Sequence, residues 1–248
     1  VASGRYRAGL DLKIPLGGEA APELAVDGQL QQLDLGNPGL ALNFTGIKGD
    51  LSYRSAGGIT ARRIQGELWG EPVSASIFSG EQTASGNQPL VLRANGEIAV
   101  EGLRQWLGSS AFSVASGKTP VQAEMTIVPV DDKSIESNIR IRSDLVGVAF
   151  ELPEPFAKPA SQSRMLQYDL SLARPGYSEL YIAEMLSGRF DVRGESPRAG
   201  IRIGRGTTPA LPATGVLISG ALREADLGQW LDTFARFRTS TGDFDSAL

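Results

Sequence analysis

Tyr6-Arg7-Ala8-Gly9-Leu10-Asp11-Leu12-Lys13-Ile14 alternates along its length: Tyr6, Ala8, Leu10, Leu12 and Ile14 fall in one phase, Arg7, Asp11 and Lys13 in the other. Successive side chains of an extended chain point to opposite sides, so this stretch reads as a strand with one apolar and one polar face. The same alternation recurs at Leu40, Leu42 and Phe44, at Val73, Ala75 and Ile77, and at Leu90, Leu92 and Ala94. It continues through Val121, Ala123, Met125 and Ile127, through Ile139 and Ile141, and through Tyr168, Leu170 and Leu172. Ile201 and Ile203, then Val216, Ile218 and Leu222, complete the series. Glycine and proline, 30 and 14 residues, punctuate these runs densely enough to turn the chain between them. The pattern predicts an all-β, antiparallel architecture with a few short helices. The phase slips between Leu30 and Leu33, which predicts a turn or a bulge. If the strands form one ribbon, the result is a long curved antiparallel sheet whose apolar side makes a groove. If the apolar faces close on each other, the result is two β-sandwich domains. Alternation alone fits both.

Two segments depart from the strand period. Leu103-Arg104-Gln105-Trp106-Leu107 and Leu227-Gly228-Gln229-Trp230-Leu231 have helical apolar spacing, and Asp226 is placed to cap the second. Ser178 to Leu186 fits strand or helix equally. The two Trp segments also expose a repeat. Gly96, Leu103, Gln105, Trp106 and Leu107 recur as Gly220, Leu227, Gln229, Trp230 and Leu231, always 124 residues on. This predicts two β-rich units, 1–112 and 113–248, each ending in a short helix that lays a tryptophan on the sheet. Polar residues from Ser109 to Lys118 form the link.

Composition excludes much chemistry. A net charge of −4 offers no basic footprint for nucleic acid. The chain has neither histidine nor cysteine, which removes imidazole bases, thiol nucleophiles, disulfides and most zinc sites. The expectation is a non-enzyme without cofactor or metal. Asp131-Asp132 and Glu151 with Glu154 read as turn and surface charges, because adjacent acids on a strand point to opposite faces. Asp243 and Asp245 lack the glycine and distal glutamate of a calcium loop. Ile201-Arg202-Ile203-Gly204-Arg205-Gly206 has a Gly-x-Gly without the rest of a phosphate loop, and reads as strand then turn. Trp106 and Trp230 read as core; Trp69, beside Gly70-Glu71-Pro72, is the most exposed of the three tryptophans by expectation. No apolar run approaches the ~20 residues of a membrane helix, and no leader precedes Val1. The chain therefore reads as a processed or excised piece.

Four segments carry a resemblance. They are Gly46-Ile47-Lys48-Gly49-Asp50-Leu51-Ser52-Tyr53 with Gly57-Gly58-Ile59-Thr60-Ala61; Leu68-Trp69-Gly70-Glu71-Pro72-Val73; Gly102-Leu103-Arg104-Gln105-Trp106-Leu107; and Ser143-Asp144-Leu145-Val146-Gly147-Val148 running on to Leu152-Pro153-Glu154-Pro155-Phe156-Ala157-Lys158. With the strands between them, the chain resembles the AsmA-like family of YhdP-type envelope proteins. It departs from that pattern at Ala157, where glycine is expected, and at Thr119-Pro120-Val121, where an aromatic is. The resemblance implies an internal periplasmic segment of an inner-membrane-anchored protein. Its partners would be phospholipid, held by the acyl chains, together with the envelope membranes and the rest of the parent chain. The implied function is a lipid conduit between inner and outer membranes; the competing reading is a non-catalytic β-sandwich scaffold or protein-interaction module. The groove lining would be Leu10, Leu12, Ile14, Leu40, Leu42, Phe44, Val73, Ile77, Leu90, Leu92, Ile139, Ile141, Leu170, Leu172, Ile201, Ile203, Val216 and Ile218. Arg7, Asp11, Lys13, Arg140, Arg142 and Arg202 would face water. The double-proline segment would be a loop or edge with Phe156 tucked inward and Lys158 on a rim near phosphate.

Overall fold

The computed structural model describes residues 2–17, 21–37, 42–81, 87–107, 113–129, 135–174, 176–193, 196–222 and 226–240. Among them the strands are β1 (Ala2–Lys13), β2 (Glu23–Asn37), β3 (Leu42–Arg54), β4 (Gly58–Leu68), β5 (Glu71–Ser79), β6 (Leu90–Ala99), β7 (Ala115–Pro129), β8 (Ile135–Ser143), β9 (Val148–Phe150), β10 (Leu166–Ser171), β11 (Tyr177–Ile182), β12 (Leu186–Asp191), β13 (Arg198–Ile203) and β14 (Gly215–Gly220). The helices are α1 (Val100–Leu107) and α2 (Leu227–Ser240). Hydrogen bonds join the strands in one open sheet, in chain order from β1 to β14 except that β8 pairs with β10 and β9 pairs with β7 alone. The edges, β1 and β14, do not meet, so the sheet is not a barrel. Pairings from β1 to β6 and from β10 to β13 are antiparallel. β14 lies parallel to β13, which corrects the wholly antiparallel expectation at one place. Residues 204–214 carry the chain back to the start of β13. This crossover passes over Gly200, where an added Cβ would lie 2.9 Å from the Ala210 carbonyl oxygen.

The chain divides into two units, Val1–Gly96 with Gln122–Ile139, and Glu97–Val121 with Arg140–Leu248. In the first, β1 to β6 form a meander. Trp69 and Gly70 link β4 to β5 with φ of 54° and 80°, and Leu68 pairs with Glu71. Two positive φ values are what a type I′ hairpin requires. Tryptophan at the first of these positions is unusual, since a bulky side chain disfavours left-handed backbone. Trp69, Trp106 and Trp230 are all half-buried. The slip after Leu30 is a bulge: Arg5 pairs with Gln32 but Tyr6 with Leu30, leaving Gln31 extra. Ser178 to Leu186 resolves as β11 and its turn into β12.

In the second unit the Ser143–Val148 motif builds a tightly packed corner. The Leu145 backbone takes a φ of 54°, and its N–H donates to Ser143 Oγ at 3.0 Å. Ser143 Oγ lies 2.9 Å from Thr119 Oγ1, and both hydroxyls are buried. A buried hydroxyl needs such a partner, which accounts for threonine at a site where an aromatic was expected. Gly147 and Gly117 touch: a Cβ on either would lie 2.1 Å from a carbonyl oxygen of the other strand. Phe156 is buried, as expected of the double-proline loop, but the Leu145–Phe150 strand begins only at Val148.

Lys158 corrects the rim reading. It is 1% exposed, and its Nζ donates to the carbonyls of Leu145 at 2.7 Å, Val148 at 2.6 Å and Pro159 at 3.3 Å. The ammonium also lies 5.8 Å from the Phe150 ring centroid. Burial pushes its pKa below the ordinary lysine value. The cation therefore ties the corner together from inside. Lys158→Met would remove the ammonium from all three carbonyls, leaving Leu145 and Pro159 only the N–H groups of Val148 and Gln162, and should destabilise the protein by ~2–3 kcal/mol. Urea unfolding at neutral pH measures it; an unchanged midpoint would show that the carbonyls find water instead.

The element pairs in extensive contact, such as β1 with β2, β2 with β3 and β10 with β11, are hydrogen-bonded neighbours within the sheet. Among the described residues the buried apolar side chains are Ile47 and Ala61 in the first unit and Leu145, Val148, Phe156 and Ala199 in the second.

Candidate functional site

Cross-strand pairing decides which side chains share a face. In the first unit Leu10 pairs with Val26, Val26 with Tyr53, and Tyr53 with Ile59. Two residues along β4, Ala61 pairs with Ile77, and Ile77 with Leu92. Leu12 pairs with Leu24, and Val73 with Gly96 on the same side. Leu90 faces Ser79 in this phase. Leu42 and Phe44 join through Leu35, which pairs with both Phe44 and Ala2. One apolar face thus runs from β1 to β6. At β1 it is uncovered: Leu10 is 66% exposed, Leu12 53%, and Ile14, just past the strand, 60%. Leu40 lies outside the described residues.

The second unit repeats the arrangement. Tyr168, Leu180, Gly188, Ile201 and Ile218 form one continuous row across five strands. Leu170, Ser178, Phe190, Ala199 and Val216 form the next, and Leu166, Ile182, Leu186 and Ile203 a third. Val216 and Ile218, on the edge strand, are 63% and 61% exposed. Leu172 is half-buried just beyond β10. On β8, Ile139 belongs to the first unit and Ile141 to the second. Both are half-buried, out of phase with the exposed Arg140 and Arg142.

The other face is charged. Arg140 donates to Asp169 at 2.6 Å and Gln167 to the same carboxylate at 2.6 Å. Arg189 and the Tyr177 hydroxyl both donate to Glu179, at 3.1 and 2.5 Å, and the bond to Glu179 raises the Tyr177 pKa. Asp191 accepts two bonds at 2.7 Å from the Arg193 guanidinium and one at 2.6 Å from Arg198. The Arg193 bonds hold its carboxyl far below the usual carboxylate range. Arg7, Asp11 and Lys13 are exposed on the polar face. Arg202 is half-buried there, donating to the Arg205 carbonyl at 3.2 Å. The crossover after β13 also lies on this side, where Thr208 bonds Ser187 at 2.8 Å. The crossover therefore does not cover the apolar face of the second unit.

The two tryptophan segments are helical, as α1 and α2. Asp226 Oδ1 accepts from the N–H groups of Gly228 and Gln229 at 2.9 and 3.1 Å, capping α2. Trp230 meets Phe156 of the double-proline loop edge-on, with ring centroids 5.6 Å apart. Glu151 and Glu154 are exposed. Asp131, Asp132, Asp243 and Asp245 lie outside the described residues. No group of three or more potential metal ligands occurs among the described residues. No described helix is long and apolar enough to cross a membrane.

Sequence reasoning missed Val26 and Leu30 of β2, Tyr53 of β3 and Ile59 of β4. The alternation of Leu24, Val26 and Leu30 could have found the first of these strands.

An open sheet, greasy on one side and charged on the other, defines a class of protein that presents apolar surface along its strands. The chain belongs to the YhdP protein family, which it matches over residues 1–247. That is an AsmA-like family of envelope proteins, associated with lipid transport. No curated protein and no solved structure matches the chain.

Proposed function

We propose that this chain is a non-catalytic segment of a periplasmic lipid conduit, whose apolar face shields phospholipid acyl chains on their way between inner and outer membranes. The observation that carries the reading is the uninterrupted apolar row across β10 to β14, ending at the exposed Ile218 on the edge strand of an open sheet. The equivalent face of the first unit, with Leu10, Ile77 and Leu92, supports it. The energetics make such a face useful. Two acyl chains carry ~30 methylenes, so exposing them to water costs on the order of 25 kcal/mol at ~0.8 kcal/mol each. A strip of aliphatic side chains removes most of that barrier while making no directional bond that would hold the lipid in place.

The test is native mass spectrometry of protein purified without harsh detergent from a Gram-negative host. The expected result is a series of adducts with the masses of intact phospholipids. Protein that stays lipid-free, even after incubation with phospholipid vesicles, would overturn the reading and favour a scaffold whose apolar face meets another protein.

A further inference from the structure

We propose that the polar face of the first unit carries a separate binding site for a phosphate ester, on the side of the sheet opposite the apolar face. The site is a hollow of about 640 Å³ whose lining includes Arg7, Asp50, Arg62 and Arg63. It lies within the size range of small-molecule pockets.

Its construction is local. Ala61 pairs with Ile77 and Ile64 with Ala75, so Arg62 and Arg63 together oppose the single residue Ser76. This bulge places two consecutive arginines at the hollow where regular alternation would send one to the apolar side. Arg7 reaches the hollow from β1. Gly9, on the same face, makes room: a Cβ there would meet nothing within 4 Å. Ser52 and Thr60, directly paired across β3 and β4, add hydroxyls to the wall.

The charges are unspent. Among the described residues, no ion pair or side-chain hydrogen bond engages Arg7, Arg62, Arg63 or Asp50. The neighbouring Asp27 is already held by Arg54, at 2.9 and 3.0 Å. This contrasts with the second unit, whose polar face is neutralised by the bonds of Asp169, Glu179 and Asp191. Three guanidinium groups that line one hollow with Asp50 and the Arg54-bound Asp27, none of the three in an ion pair, suit a doubly charged phosphate, which accepts their forked donors. Asp50 then serves as an acceptor for a hydroxyl next to the phosphate. The chemistry recognised is a phosphate on a hydroxyl-bearing group, whether a soluble sugar phosphate or a lipid head group.

The full chain is titrated calorimetrically with glucose 6-phosphate at low ionic strength, and in parallel with inorganic phosphate and with vesicles containing phosphatidylinositol. Saturable binding to at least one probe is expected. Arg62→Gln and Arg63→Gln should each weaken it about tenfold, the scale of one charge-assisted hydrogen bond. Gly9→Phe should fill the hollow and abolish binding while every arginine remains. The three arginines are exposed, so the Arg62→Gln and Arg63→Gln variants should melt with the parent protein; should Gly9→Phe fail to fold, they carry the test alone. Binding to the sugar phosphate assigns a soluble ligand, and binding only to vesicles assigns a head group. No saturable binding to any probe, or binding untouched by the arginine substitutions, overturns the site. Because the acyl-chain face is not altered, phospholipid adducts in the same variants report separately on the conduit.

Discussion

Trp230→Ala should destabilise the second unit by ~3–5 kcal/mol, and Phe156→Ala by a similar amount. The unit has few buried apolar side chains among its described residues, so each matters more than it would in a layered domain. Phe156 is 6% exposed, and its ring meets Trp230 edge-on at 5.6 Å. That geometry adds ~0.5–1.5 kcal/mol beyond the area buried. It also joins α2 to the loop that delivers Lys158 into the corner beneath Leu145 and Val148. The double variant should therefore cost less than the two single losses combined, because each single change already empties the shared contact. Urea unfolding followed by circular dichroism measures all three. A loss below ~1 kcal/mol for Trp230→Ala, with fluorescence quenchable from water, would make this tryptophan a surface platform instead of an anchor.

The strands that alternate strictly were legible from sequence. Leu10 to Lys13, Val73 to Ile77 and Leu90 to Ala94 lie in strands with the phases their periods predict. A period of two reports which side chains share a face; it does not report what covers that face. The choice between an open sheet and closed sandwiches was consequently open until the strand order was known. Bulges were legible only where they break an apolar run. The one after Leu30 is visible because two leucines fall out of phase. The one at Arg62-Arg63 is hidden, because a pair of arginines reads as ordinary surface. Lys158 was misread for a related reason. Lysine is almost never fully buried unless its charge has partners, and its partners here are backbone carbonyls, which no residue type announces. The motif from Ser143 to Val148 pointed to the family without revealing its role. That role is a packing corner built from an αL leucine, a pair of touching glycines and a buried hydroxyl pair.

Leu92→Asp should abolish phospholipid adducts while leaving the protein folded. Leu92 pairs with Ile77 in the apolar row of the first unit and is half-buried. In the lipid-free protein a carboxylate there keeps access to water. The loss of stability should stay near the ~1 kcal/mol typical of a point substitution. With lipid present, the same carboxylate must be stripped of water against an acyl chain. An unpaired charge pays several kcal/mol for that, or takes up a proton to avoid it. Every chain sliding along the row meets the same barrier, so one substitution should suffice. Ile141→Asp applies the test to the second unit. Asn95→Asp is the control: it adds the same charge to β6 with almost no change in shape, but Asn95 pairs with Ser74 in the opposite phase. Melting and native mass spectra are recorded on the same preparations. Folded Leu92→Asp and Ile141→Asp proteins without lipid, beside an Asn95→Asp protein that retains it, would place the acyl chains on the apolar face. If Leu92→Asp unfolds the protein, the face is covered in solution by protein and the scaffold reading takes over. If all three variants keep their lipid, the acyl chains travel elsewhere and the conduit reading fails.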